Sequence, residues 1–161
     1  MTLNRNLLAP DDLISGKEGD VFVTIDGRRY HWLHCTEMEA TVDIKNSEVS
    51  LLRNKITQHK DGEMTGKFKG KAYKIDSQIA AAMTRYKNAT ATSPSIEIQI
   101  DNEDPSSATG RQSAVLKGCK FDSFVLAKIN SSEEQLEEDI EGTFDDWELP
   151  ETFNVLDGLE G

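Results

Sequence analysis

Three clusters in this chain carry residue types from which reactive sites are built. "HWLHC" brings together His31, His34 and Cys35, side chains that commonly ligate zinc. "IDNEDPSSATGRQ", Ile100 to Gln112, gathers acids, hydroxyls and a guanidinium around one proline and one glycine. That mixture suits a catalytic pocket and a solvated turn equally well. The third cluster is split along the chain. Lys67, Lys69 and Lys71 alternate in one segment, and Glu137, Asp139 and Glu141 in another. Opposite charges at strand spacing point to electrostatics on a sheet surface, not to bond-making.

The first two clusters yield little chemistry on closer reading. In a strand, His31 and His34 are an odd number of residues apart and point to opposite faces, so they would not share one ion. His59 lies far off in an irregular segment, and no metal is expected. The Gly-Lys of "SGKEG" lacks the upstream glycine of a phosphate-binding loop, and "TGRQS" lacks its lysine. Acid pairs such as Glu103 with Asp104 stand in a crowd of other carboxylates. Neither Cys35 nor Cys119 adjoins a helix start or a plausible base, and there is no GxSxG. The expectation is a protein that is not an enzyme and has no cofactor.

The elements that must position the third cluster are strands. "DVFVTI" and "RRYHWLHC" flank Asp26-Gly27, the dipeptide of a tight type I′ hairpin. "EMEATVDIK" alternates Glu39, Thr41, Asp43 and Lys45 against Ala40, Val42 and Ile44, the period of a sheet with one wet face. Asn46 to Gly62 loses that period and reads as a long excursion from the sheet. "MTGKFKGKAYKI" alternates again, and its glycines at 66 and 70 imply close approach by another backbone. One helix is predicted, "DSQIAAAMTRYKN", with Asp76 or Ser77 at its start and Ile79, Met83 and Tyr86 on one stripe. "SIEIQI" follows as a strand, then "QSAVLKGCKFDSFVLAKI" as two strands or one bent at Gly118. "EQLEEDIEGTFDDWEL" closes the sheet as a strand, with Leu136, Ile140 and Phe144 opposite the acids.

Size and charge bound the function. A chain of 161 residues fits one domain with a real core. Its apolar runs are too short for a membrane span or a secretory segment, and two cysteines suit reduced thiols in a cytosolic setting. From Ile129 to Gly161 there are twelve acids and no Lys or Arg; set against a net charge of -11 this leaves the first 128 residues at +1. So acidic an end repels phosphates and argues against tight nucleic-acid binding.

Together, "ISGKEGDVFVTIDGRRY", "ITQHKDGEMTGKFKGKAY" and "NEDPSSATGRQSAVLKGCKFDSFVLAKI" resemble the XkdM-like tail tube proteins of contractile-tailed phages and phage-derived particles. The similarity runs from Ile14 to Leu149. The glycine-rich HKxGG of that family is replaced here by Lys60-Asp61-Gly62-Glu63.

The resemblance implies a mainly β (α+β) fold, an antiparallel sandwich or barrel-like subunit with one short flanking helix. It implies a single domain over 1–161, with an N-terminal arm at 1–13, an extended inter-ring loop at 46–62 and a C-terminal tail at 150–161. Six copies would form a ring, and rings would stack into a hollow tube that conducts DNA. The implied partners are the chain itself, a tail sheath protein, a baseplate tube initiator and a tape measure protein in the lumen. The implied setting is a virion tail assembled in the bacterial host cytoplasm, without a membrane anchor. On this reading Asp43, Glu137, Asp139 and Glu141 face the lumen, Arg53, Lys55, His59 and Lys60 stack rings, and Arg111 reaches a carboxylate across a subunit boundary. Two alternatives stand beside it: the tube of an R-type bacteriocin-like particle without DNA, and a baseplate or tail adaptor.

Overall fold

In the computed structural model, which describes residues 9–87 and 92–156, the chain folds into two antiparallel sheets and one helix. The hairpin at Asp26-Gly27 joins β1 (Gly19–Ile25) to β2 (Arg28–His31). Both turn residues have the positive φ a type I′ turn requires, 50° and 82°. β1 also pairs with β5 (Ile96–Glu103), β5 with β6 (Arg111–Lys117), and β6 with β9 (Asp146–Glu151). The five-stranded order is β2-β1-β5-β6-β9. The second sheet contains β3 (Cys35–Val49), β4 (Gln58–Tyr73), β7 (Lys120–Ser123) and β8 (Glu137–Phe144), in the order β3-β4-β8-β7.

The sheets face each other over one core. Val23, Ile25, Ile96, Ile98 and Leu116 come from the five-stranded sheet, and Phe68, Ala72, Ile140 and Phe144 from the four-stranded one. Helix α1 (Gln78–Tyr86) adds Ile79 and Ala82. Its buried side is Ile79, Ala80 and Ala82, while Tyr86 is exposed. The small alanines let the helix lie close to the core, which displaces the stripe expected through Tyr86.

Three very short links carry the chain between sheets. Residues 32–34 join β2 to β3, residues 118–119 join β6 to β7, and Asp145 alone joins β8 to β9. Each contradicts or refines a strand read from sequence. "RRYHWLHC" is not one strand, because Trp32 turns into the core and the chain changes sheet. "EQLEEDIEGTFDDWEL" is two strands in different sheets, since its alternation continues across the corner at Asp145. The break near Gly118 is present, with φ +64°, but the second strand stops at Ser123.

The expected excursion at 46–62 is also corrected. β3 continues to Val49 and β4 starts at Gln58, so only residues 50–57 are outside the ladder. A register shift between Ile44 and Asn46 breaks the period, and both faces of this stretch are exposed. With no buried face, sequence alternation has nothing to report.

Candidate assembly surfaces

The two sides of the four-stranded sheet could hardly differ more. Phe68, Gly70 and Ala72 face inward from β4, and Ile140, Gly142 and Phe144 from β8. The opposite side is a lattice of charge. Pairing sets Lys69 beside Glu39 on one neighbour and Glu141 on the other, and Lys71 between Glu37 and Asp139. Lys67 stands opposite Thr41 and Thr143, with its Nζ 3.8 Å from Asp43. Lys69 Nζ is 4.0 Å from Glu39. Such exposed pairs contribute about 0–1 kcal/mol each, so the lattice shapes the field more than the stability.

All four residues expected to line a lumen, Asp43, Glu137, Asp139 and Glu141, lie on this exposed face. Glu37 and Glu39 belong with them and were missing from that set, although Glu37, Glu39 and Asp43 share one period-two series. The described ion pairs of the lysines go to β3; Asp139 and Glu141 of β8 make none among the described residues. Across β3, β4 and β8 the face holds six carboxylates (37, 39, 43, 137, 139, 141) against three lysines, and β7 adds Lys120 and Asp122. Among the described residues Glu37 of β3 and Glu137, Asp139 and Glu141 of β8 make no ion pair.

Both edges of this sheet are open among the described residues. β3 is the terminal strand over its full length, and β7 covers β8 only opposite Glu141 to Thr143. Strand edges of that kind are ready to pair with another chain.

Beyond the sandwich the β3–β4 hairpin runs on by itself. β8 pairs with β4 only from Gly66 to Tyr73, so Gln58 to Thr65 have β3 as their sole partner. Of the four ring-stacking candidates, Arg53 and Lys55 lie in the tip, Arg53 with φ +62°. His59 and Lys60 follow on the ribbon opposite Glu48 and Ser47.

Arg111 has carboxylate partners in its own chain. Its Nη2 donates to Asp101 Oδ2 at 2.7 Å, and Nη1 lies 3.8 Å from Glu151. The guanidinium is thus engaged within its own chain while its side chain stays 39% exposed. Ser113 Oγ and Gln99 Nε2 also donate to the buried Asp101 carboxylate, at 2.6 and 3.0 Å. Burial pushes that carboxyl up, but the Ser113, Gln99 and Arg111 bonds outweigh it and hold it below the usual range.

The polar loop at 104–110 is an anchor for both ends of the described chain. Asp104 accepts from Ser106 N and Ser15 N, each at 2.9 Å. Ser107 Oγ donates to Asp12 O at 2.8 Å, and Asn154 N to Thr109 O at 2.6 Å. Residues 9–13 of the predicted arm are therefore tied down; residues 1–8 lie outside the described chain, as do residues 157–161 of the predicted tail.

Other titratable groups serve structure. His31 stacks on Phe22 with centroids 4.5 Å apart and bonds Asp20 at 3.0 Å, while His34 turns toward Asp76, 3.8 Å away. Burial pushes the Cys119 thiol up to about 12, leaving no thiolate for nucleophilic chemistry at neutral pH.

One sheet is thus divided into an apolar and a charged face, with edges open among the described residues and a hairpin ribbon running beyond the sandwich. The phage tail tube protein family matches residues 6–151. The chain belongs to that family. Among relatives in Bacillus subtilis (strain 168), phage-like element PBSX protein XkdM is 32% identical over 147 residues, covering 91% of this chain and 97% of its own. The uncharacterized protein YqbM is 33% identical over 144 residues, covering 89% and 95%. The tail tube fold recurs in cryo-EM structures at much lower identity. A chain of the anti-feeding prophage cap has a TM-score of 0.65 at 10% identity, covering 94% of this chain and 99% of that one. A chain of an extracellular contractile injection system's sheath/tube terminator scores 0.62 at 8% identity, covering 88% and 99%. As a tail tube protein the chain is a structural component of a phage-like tail particle and not an enzyme.

Proposed function

We propose that the chain polymerises as stacked hexameric rings into the hollow inner tube of a contractile tail. The charged face of the four-stranded sheet lines the lumen, and the open edges of neighbouring copies join into one continuous inner barrel. A rotation that closes gives the ring, and repeated heterologous contact along the axis gives the filament. The observation that carries this reading is the four-stranded sheet itself: apolar on its buried side, charged on its exposed side, and open at both edges among the described residues.

The mechanism is electrostatic and mechanical. Excess carboxylates give passing DNA no place to stick. Their repulsion of phosphate is screened within about 8 Å at physiological salt, so passage is eased and not blocked. A sheath contracting around the tube would drive it through the host envelope; a baseplate initiator would start the tube, and a tape measure protein would occupy its lumen during assembly.

A second reading, a tail adaptor or cap module, draws support from the likeness to chains of a tube-terminating cap and a sheath/tube terminator. Electron microscopy of the concentrated, salt-titrated protein separates the two. Hollow filaments of constant width, built from six-fold rings, are expected of a tube protein. Particles that never grow beyond a single ring favour the adaptor. Nucleic acid within native particles would separate a DNA-conducting tail from a bacteriocin-like one.

A further inference from the structure

Apolar surface continuous with the core is left uncovered in two places. On the free ribbon, Ile44 and Met64 are register partners on the same side as Phe68, yet both are more than half exposed. At the tip beyond them Leu52 is 97% and Ile56 74% exposed. A two-stranded ribbon with neither face covered is marginal in water, so this segment needs an occupant for its apolar side.

The second place is the outer flank of the sandwich at edge strand β9. Trp147 is the register partner of core residue Leu116 and packs edge-on against Phe144 at 6.2 Å, yet it remains 40% exposed. Leu149, two residues along the same strand, is also exposed.

The charges at the two places are opposite. Residues 51–60 hold Arg53, Lys55 and Lys60 and no acid; residues 145–151 hold Asp145, Asp146, Glu148 and Glu151 and no base. Although Lys117 of β6 pairs with Glu148 at 2.8 Å and Arg111 lies 3.8 Å from Glu151, Asp145 and Asp146 make no ion pair among the described residues. We infer that the hairpin tip of one copy docks on the β9 flank of another, with Leu52 and Ile56 against Trp147 and Leu149 and with Arg53 and Lys55 against the surrounding carboxylates. The two surfaces differ, so the contact is heterologous and propagates. Its opposite charges fix register and speed encounter more than they add affinity. This inference rests on the ring-stacking reading of the tip and names its receptor.

Charge exchange in the full chain tests it. Arg53→Glu with Lys55→Glu, and separately Asp146→Lys with Glu151→Lys, are each expected to cut sedimentable assembly about tenfold or more. Combining all four substitutions is expected to restore it to within about twofold. Thermal unfolding of each variant establishes that it folds. Normal assembly of the β9 variant, or no rescue in the combination, overturns the contact and leaves the tube reading intact. A second measurement does not depend on charge. Leu52→Cys and Leu149→Cys chains, both in a Cys35→Ser background, are mixed under mild oxidation. A covalent dimer in the mixture and in neither chain alone supports the contact, and its absence overturns it. A covalent dimer from a protein that never forms tubes would overturn the tube reading alone.

Discussion

Phe68 of β4 lies across the backbone of its cross-strand partner Gly142 of β8, its Cζ only 2.5 Å from where a Cβ would stand. Two pairs further along, on the same face, the roles reverse: the Phe144 ring covers Gly66. Each glycine makes room for an aromatic ring that packs flat on the sheet, an arrangement that pins register.

Gly142→Ala is therefore expected to destabilise the fold by about 1–3 kcal/mol, the usual cost of overpacking a filled core. The new Cβ would meet the Lys120 carbonyl oxygen as well as the ring. Urea unfolding measures it, with Gly16→Ala as control, since nothing lies within 4 Å of a Cβ there.

Asp101→Asn should weaken the fold at pH 7 by about 1–2 kcal/mol, toward the low end because Arg111 is partly exposed and screened. The folded carboxyl sits below its ordinary 3.8. Its stabilisation is therefore present above pH 3.8 and lost as pH falls through the lower folded value. Thermal midpoints followed from pH 7 down to pH 2 should show the gap between wild type and variant closing at the acid end. A constant gap would mean that the hydrogen bonds matter and the charge does not.

Glu138 has the opposite sign. It is buried, 3.5 Å from Lys74 Nζ, and burial raises its carboxyl above 4.5 despite that ammonium; Asp76 also raises it, and His34 lowers it. A raised folded value favours the fold fully below pH 4.5, and that benefit is lost as pH rises through the folded value. The stability of Glu138→Gln relative to wild type should thus improve as pH climbs from 4 to 7. Thermal unfolding across that range is the check, and a relative stability that falls instead would contradict the assignment.

Asp139→Lys with Glu141→Lys reverses two of the carboxylates of the charged face that lack ion pairs among the described residues. Tubes of this variant are expected to retain a labelled DNA oligonucleotide at low salt and release it as salt rises, whereas wild-type tubes retain none. Fluorescence anisotropy reads it. Retention by wild type, or none by the variant, would remove these residues from the lumen.

What the sequence could disclose depended on burial. The alternation of Lys67, Lys69 and Lys71 against Phe68, Gly70 and Ala72 was legible because one face is core and the other wet. Asp26-Gly27 was legible because a tight hairpin demands its φ angles. The ribbon from Asn46 to Gly62 was not, since both its faces meet solvent. Nor was the corner at Asp145, where the period-two pattern runs from one sheet into the other without a break. The pairing of Arg111 with Asp101 was not legible because Asp101 becomes a neighbour only once the β5–β6 register is set. Glu37 and Glu39 were available to the same period-two argument that found Asp43.

The one-to-three-residue links at 32–34, 118–119 and Asp145 bear on how the subunit carries load. Two stacked sheets joined only by side-chain packing would slide past each other under an axial push. Here three short covalent tethers bridge the layers, and none is long enough to take up slack. Shear between the layers would have to stretch backbone, so the sandwich should behave as a stiff strut, with its compliance concentrated in the protruding hairpin.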